Sequence, residues 1–273
     1  LLRCASAFDE PLTAAYKPTR RESVDGVLRR MRERFGCTMV KAGDLVPHLL
    51  EQRGRVRLLA MLADQSPSAK SEQQTWIEFL GQQTSFFRGP GWIGAKLGYS
   101  VYLAAMHRER RGHYVVRFIE LSRAGARAEP DQILTTCISG PTTAGSARSR
   151  FMDEPMASAT ASTPTRDSFG LRLRYACSWL LFFLGYRLFG LRRGTIRQNL
   201  RRSFPDMSDA GRERIRNDFV TRQAEILAEF DYARVMGAEE LRARVQLLDP
   251  AGLLAAPVKL VLLGGHQCNF EWM

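Results

Sequence analysis

Cysteine is scarce in this 273-residue chain, and its spacing argues against two common kinds of site. There are five cysteines, an odd number, and none belongs to a Cys-x-x-Cys pair: Cys4, Cys37, Cys137, Cys177 and Cys268. This pattern indicates neither a zinc site nor a disulfide framework. No metal or cofactor is therefore expected, and the cysteines are predicted to be reduced, mostly buried thiols of a protein that faces the cytosol.

Acidic residues are also few compared with basic ones. The chain has 28 Asp and Glu against 40 Lys and Arg, which gives a formal net charge of +12. An excess of this size predicts an acidic partner, which is nucleic acid, anionic lipid or an acidic protein. The arginines are spread over most segments, without the aromatic interleaving or glycine-rich signature of an RNA-recognition module. We therefore expect no nucleic-acid partner.

The chain shows no recognisable N-terminal signal peptide, and its membrane signal lies in the middle instead. Residues 175–186 are uncharged and rich in aromatic residues, with arginines on both sides. They are fewer than the roughly 20 apolar residues that a bilayer-crossing helix needs. We predict a membrane anchor over 169–195 that lies in the interface or dips through it. The alternative is a buried core helix.

Helical and extended patterns alternate along the chain, which favours an α/β fold with a mostly parallel sheet flanked by helices. The predicted helices are 23–35, 44–53, 93–97, 209–236 and 239–245. The predicted strands are 56–62, 100–106, 114–121 and 259–263. The long helix should turn five apolar residues to the core: Ile215, Phe219, Ile226, Leu227 and Phe230. Residues 133–168 are predicted to be a flexible linker, because 138–168 lacks periodicity and is rich in Ser, Thr, Ala, Pro and Gly.

The most informative motif is Gly-Gly-His-Gln-Cys-Asn-Phe-Glu-Trp-Met at 264–273, directly after the last predicted strand. His266 and Glu271 would form an acid–base pair, in which a carboxylate fixes the tautomer of an imidazole with an ordinary pKa near 6.5. Five positions along a helix turn through roughly 500°, so the pair can meet only if His266 precedes the helix. Gly264 and Gly265 would allow the unusual backbone angles that this requires. The alternative is that His266 merely ends a strand and Glu271 is a solvated charge.

This string resembles the catalytic block of the bacterial lipid A late acyltransferase family, of the lauroyl/myristoyl acyltransferase type. The resemblance implies a glycerol-3-phosphate-acyltransferase-like α/β fold with a membrane-anchoring helix. It also implies an H-x4-D/E mechanism, with His266 as general base and Glu271 as its orienting carboxylate. Two further blocks support the resemblance: Gln198-Asn199-Leu200 and Ser203-Phe204-Pro205.

Other family blocks imply substrate-binding roles for four residues: Arg32, Asp64, Lys17 and Asn269. Arg32 would clamp a phosphate, although Arg34 is a competing alignment, and each could equally be a charge on a solvated face. Asp64 follows a predicted buried strand, where α/β proteins place ligand-binding residues, or it is a plain turn former. Lys17 stands where the family usually has Arg, so bidentate geometry is lost. Phe86 and Phe87 resemble a segment that would line the acyl groove.

The order of these blocks predicts a circular permutation, because the family carries its histidine block in the first half of the chain. Reading Met273 into Leu1 gives an unbroken apolar helix, so the chain ends should meet in space, and Met152 resembles an ancestral start. Residues 1–132 would then be the C-terminal half of the fold and 196–273 the N-terminal half. A natural permutation, an engineered one and a reading frame closed around circular DNA all remain open. The family's C-terminal packing helix is expected to be missing or replaced after Gln132.

The leading hypothesis is an O-acyltransferase at the cytoplasmic face of the bacterial inner membrane. It would move a fatty acyl chain from acyl carrier protein, or coenzyme A, to a hydroxyl of a lipid A precursor or a related glycolipid or lysophospholipid. The alternative is a catalytically inactive, rearranged relative that binds anionic membranes.

Overall fold

The computed structural model describes the chain except for residues 20, 53–54, 56–57, 63, 65–66, 68–73, 80, 126–128, 140–166, 188–189, 191–192, 250–251, 256–258 and 266–267. Its strands are β1 Leu12–Tyr16, β2 Thr38–Lys41, β3 Leu58–Leu62, β4 Gln74–Phe79, β5 Gln82–Phe87, β6 Ser100–Arg110, β7 His113–Ser122, β8 Val245–Leu248 and β9 Leu260–Gly264. Its helices are α1 Leu2–Ala5, α2 Glu22–Glu33, α3 Leu45–Glu51, α4 Gly89–Leu97, α5 Pro130–Ser139, α6 Phe169–Arg187, α7 Arg193–Ser203, α8 Asp209–Tyr232 and α9 Ala238–Arg244. Single 3-10 turns occupy Ala42–Asp44 and Leu253–Ala255.

Seven strands form one mixed sheet in the order β2-β1-β3-β9-β6-β7-β8. Neighbouring strands are parallel except for β6 and β7, which form an antiparallel hairpin. The central strand β9 pairs with β3 on one side and β6 on the other, with Leu260 opposite both Leu58 and Ser100. This confirms the predicted α/β class with a mostly parallel sheet. The strands β4 and β5 form a separate antiparallel hairpin.

Both faces of the sheet are covered, which explains why β9 is a continuous apolar run rather than an alternating one. Leu260 and Leu262 pack into one core cluster, and Val261 and Leu263 into the other. The first cluster includes buried residues of α1 and α8, and the second those of α3, α4 and α5. The motif at 264–273 therefore leaves the sheet from its most buried strand.

The linker predicted over residues 133–168 begins too early in the sequence. Residues 133–139 belong to α5, and Ile133 and Leu134 are fully buried in the second core cluster. Apolar residues one helical turn apart in the Pro130–Ser139 sequence favour this packing against α4. The prediction missed the helix because the segment that follows it lacks periodicity and is rich in Ser, Thr, Ala, Pro and Gly. A packing helix is therefore present at the point where the family's C-terminal helix was expected to be missing or replaced. Residues 140–166 lie outside the described part of the chain.

The predicted core face of the long helix is partly wrong. Phe219 and Leu227 of α8 are 46% and 43% exposed, whereas Ala224 and Ala228 are buried. Helix α6 packs against α8 here, with the Tyr175 hydroxyl donating to Glu229 and Arg174 paired with Asp231. Alanine lets two helices approach closely, so the large apolar residues of α8 lie to the side of the contact.

Helix α6 buries one stripe and exposes the rest of its apolar surface. Leu171, Tyr175 and Ser178 are buried at helical spacing. Seven large apolar residues are exposed: Phe169, Leu173, Trp179, Leu180, Leu181, Phe183 and Leu184. The alternative of a buried core helix is therefore wrong. Across the described ranges, no helix combines the length and apolar character required to span a membrane.

The two ends of the chain lie together and complete a single helical pattern. The N-terminal amino group of Leu1 and the backbone N–H groups of residues 2–4 donate in order to the carbonyl oxygens of residues 270–273, at 2.7, 3.0, 3.1 and 2.6 Å. Reading Met273 directly into Leu1, each bond joins residues four apart, as in an α-helix. The expected meeting of the chain ends is confirmed.

Candidate active site

Three parallel strands end side by side at one edge of the sheet. β1 ends at Tyr16, β3 at Leu62 and β9 at Gly264, and Leu62 lies directly opposite Gly264. Ligands of α/β proteins bind beyond such carboxyl ends. Two of the predicted substrate-binding residues, Lys17 and Asp64, follow β1 and β3 and are exposed. The topology thus brings them to the edge from which the 264–273 motif emerges.

The turn between β9 and Glu271 is built around Cys268 and Asn269. Cys268 has a φ of 52°, in the left-handed region that L-residues seldom adopt. Asn269 caps the following helix, because its Oδ1 accepts from the backbone N–H of Trp272 at 3.3 Å. His266 and Gln267 lie outside the described residues, so the pairing of His266 with Glu271 stays a prediction.

The expected role of the glycine pair needs correction at Gly264. Gly264 is part of β9, and among the described residues of the turn it is Cys268 that has a left-handed backbone conformation. A side chain at 264 would bring its Cβ within 2.8 Å of the Met273 Cε atom. A larger residue at this position would have to push the end of the Met273 side chain aside, so Gly264 allows Met273 to pack closely against the strand end.

Glu271 is not a solvated charge, since it is only 2% exposed. Arg32 on α2 donates hydrogen bonds to its carboxylate. Arg32 Nε lies 3.0 Å from Oε2 and 3.2 Å from Oε1, and Nη2 also donates to Oε1. Burial opposes the guanidinium charge, yet the hydrogen bonds and charge of Glu271 outweigh it, and the pKa of Arg32 lies above its ordinary value. A carboxylate has about four acceptor positions, so Glu271 can still accept an imidazole N–H.

Arg34, the competing candidate for the role of Arg32, makes its contacts in a different part of the fold. Arg34 donates to the backbone carbonyls of Ala233 at 2.6 Å and Met236 at 3.1 Å, just beyond the end of α8. Basic side chains commonly satisfy the free carbonyls of a helix end in this way. Arg32 therefore reaches the motif, and Arg34 fixes the end of α8.

Asn269 is completely buried, and its side-chain amide donates to Glu229 Oε2 at 2.8 Å. The hydroxyls of Tyr114 on β7 and Tyr175 on α6 also donate to this carboxylate, at 2.6 and 2.8 Å. Burial raises the pKa of Glu229, and burial together with the charge of Glu229 raises the pKa values of both phenols. Sequence reasoning missed Glu229, because a glutamate on an amphipathic helix is ordinarily solvated.

A comparison with protein-family models identifies the family to which the chain belongs. The model of the bacterial lipid A biosynthesis acyltransferase family matches residues 6–125 and 173–273, well over half of the chain. The chain belongs to this family. All six predicted site residues fall in the matched ranges: His266, Glu271, Arg32, Asp64, Lys17 and Asn269. No curated protein and no solved structure gave a significant match.

Membership of this acyltransferase family confirms the resemblance carried by the motif and implies a lipid acceptor and an acyl donor. The two phenylalanines suggested for the acyl groove lie on β5. Phe86 is buried and meets Phe79 edge to face at a centroid distance of 6.1 Å, whereas Phe87 is partly exposed. Trp76 of the paired strand and Trp92 of α4 are also exposed. An apolar surface lies on this hairpin, and its contact with an acyl chain stays a prediction.

Proposed function

We propose that this family member is an O-acyltransferase that moves a fatty acyl chain from acyl carrier protein, or less favourably coenzyme A, to a hydroxyl of a lipid A precursor. A related glycolipid or a lysophospholipid is the next acceptor class. The observation that carries the proposal is the buried Glu271–Arg32 pair, in the turn directly beyond the central strand β9. A buried, oriented carboxylate five residues after a histidine is suited to general-base chemistry.

In the proposed reaction, neutral His266 removes the proton of the acceptor hydroxyl as its oxygen attacks the thioester carbonyl carbon. A new C–O bond forms, and the carbonyl oxygen carries the negative charge of the tetrahedral intermediate. When that intermediate collapses, the C–S bond breaks and the leaving thiolate takes the proton from His266. Glu271 would hold the imidazole and balance its transient positive charge, while Arg32 keeps Glu271 in place.

The membrane part of the proposal is supported by the apolar face of α6 and the basic helices that follow it. At the end of α6, the guanidinium groups of Arg193 and Arg216 lie over the ring of Tyr186, at 4.8 and 5.7 Å from its centroid. A groove of about 280 Å³ between α7 and α8 is lined by four arginines and two acidic residues: Arg197, Arg201, Arg212, Arg216, Asp209 and Glu213. Apolar side chains beside cationic ones are typical of interfacial binding to anionic lipid.

We place this surface at the cytoplasmic face of the inner membrane, because an acyl carrier protein donor and reduced thiols belong to the cytosolic side. The acceptor lipid would remain in the bilayer while its hydroxyl reaches residues 265–272, the acid–base turn, which carry His266 and Glu271. The net charge of +12 favours both an anionic membrane and an acidic carrier protein.

We also propose that the chain is circularly permuted relative to its family. The four helical hydrogen bonds between residues 270–273 and 1–4 support this, since they continue one helix across the chain ends. A variant with Met273 joined to Leu1 and new ends opened at Met152 should keep the same fold and at least equal thermal stability. Loss of cooperative unfolding in that variant would refute the proposal.

The acyl-transfer proposal is tested with the full chain, vesicles containing a lipid A precursor, and acyl carrier protein charged with lauroyl or myristoyl groups. Mass spectrometry should show the acceptor gaining one acyl group in place of one hydrogen. Coenzyme A thioesters and a lysophospholipid acceptor run in parallel separate the donor and acceptor classes. No transfer to any acceptor from either donor would leave the membrane-binding, inactive relative as the better account.

A further inference from the structure

Glu229 is a carboxylate in the protein core, and the donors that bind it within the described part of the chain are neutral. Its three donors are two phenols and the Asn269 carboxamide. Burying a charged group is costly unless it is well satisfied, and an apolar residue would fill the same space without that cost. A role in which the direction of the hydrogen bonds matters would account for a carboxylate here.

Glu229 also holds the acid–base turn at two points. Its side chain accepts from Asn269, and its backbone carbonyl accepts from the indole N–H of Trp272 at 3.0 Å. These two residues flank Phe270 and Glu271 in the sequence. The Asn269 side chain spans the same turn, since its Nδ2 donates to Glu229 while its Oδ1 accepts from the Trp272 N–H.

We propose that Glu229 is a positioning residue for acyl transfer, which fixes the turn that carries Glu271 by orienting the Asn269 carboxamide. The inference rests on the proposed function, and Glu229 itself touches no substrate. An acceptor at position 229 forces Asn269 Nδ2 toward α8, and this leaves Oδ1 to cap the helix. The cap then sets where the helix begins, and thereby where Glu271 meets Arg32.

The isosteric variant Asn269→Asp tests the direction of this hydrogen bond. Asn269 Nδ2 and the Tyr114 hydroxyl both donate to Glu229 Oε2, whereas the Tyr175 hydroxyl donates to Oε1. An aspartate at position 269 would therefore face Oε2 acceptor against acceptor, and the repulsion would displace the turn that carries Glu271. The double variant Asn269→Asp with Glu229→Gln reverses donor and acceptor, because the glutamine amide donates to the aspartate, which can still accept from the Trp272 N–H.

In the acyl-transfer assay with the full chain, Asn269→Asp should lower kcat by about 10- to 100-fold, the scale expected when a reacting group is displaced by about 1 Å. KM for both substrates should stay within about twofold. The double variant should recover most of the lost kcat. The matched control is Tyr175→Phe, which removes the donor from the other oxygen of the same carboxylate, Oε1. Its kcat should stay near that of the wild type.

Equal losses of kcat in Asn269→Asp and Tyr175→Phe would overturn the proposal, because the network would then act only through stability. A folded double variant without recovery would overturn it too, and this comparison holds even where Asn269→Asp alone does not fold. If the wild type transfers no acyl group, the proposed function fails and hydrogen exchange decides the positioning. Faster exchange at residues 270–273 in Asn269→Asp, reversed in the double variant, supports it; unchanged exchange there contradicts it.

Discussion

Replacing Arg32 with methionine should destabilise the fold strongly, because it leaves the Glu271 carboxylate buried without its counter-charge. Glu271 is 2% exposed and the Arg32 side chain 16% exposed, so water replaces little of the lost interaction. Removal of one partner from a buried ion pair costs about 3–5 kcal/mol. We expect a loss near the lower end, about 3 kcal/mol, because part of Arg32 reaches solvent and methionine keeps the packing of its stem.

The measurement is the free energy of unfolding in urea at pH 7, with Arg29→Met as the matched control. Arg29 lies on the same helix and pairs with Glu33 at 2.8 Å, but that pair is on the surface, where ion pairs contribute little. The double variant Arg32→Met with Glu271→Gln should be more stable than Arg32→Met alone, since it removes the unpaired charge. An Arg32→Met loss no greater than that of Arg29→Met would refute the assignment of a buried, paired carboxylate.

Three further outcomes follow from the fold. Leu181→Asp, at a position on α6 that is 64% exposed, should lower co-sedimentation with phosphatidylglycerol vesicles by about tenfold. Val235→Asp, at a position outside α6 that is 61% exposed, should have little effect. Equal binding by the two variants would show that α6 is not the membrane contact. Cys268→Gly should raise the free energy of unfolding by about 1 kcal/mol, because glycine adopts a positive φ without strain. Cys268→Ala should give no such gain. Equal effects of the two variants would contradict backbone strain at Cys268. Maleimide should modify exposed Cys177 rapidly at pH 8. Burial raises the pKa values of Cys37 and Cys137 to about 12, so both should remain thiols and react slowly over pH 7–9. Mass spectrometry that shows all three cysteines modified at the same rate in the native state would contradict their burial.

The sequence was most informative where a local pattern decides the structure. The apolar run before Gly264 predicted a buried strand, and the spacing of His266 and Glu271 required a turn before the helix. The structure has the strand and the turn, but places the left-handed residue at Cys268. The prediction that Arg32 belongs to the site depended on the family resemblance. Its contact with Glu271 joins residues 239 positions apart, and no local sequence pattern encodes such a contact.

The sequence was least informative about which side of a helix meets another helix. The periodicity of α8 was correct, but the contact with α6 selects its alanines and leaves Phe219 and Leu227 exposed. The buried role of Glu229 depends on β7, α6 and the 264–273 turn together. Such a network exists only once the tertiary fold brings its members together. Helix α5 was missed for a related reason, since its burial against α4 outweighs its weak sequence pattern.

The central claim is that His266, held by Glu271, is the base of an acyl transfer to a lipid hydroxyl. The most direct measurement compares the initial rates of the wild type and His266→Ala with an acyl carrier protein thioester and a lipid A precursor in vesicles. The account predicts transfer by the wild type and a fall in kcat of about 10²–10⁴-fold in the variant, with vesicle binding unchanged, since a positioned general base contributes about that much. Near-normal turnover by His266→Ala would contradict it.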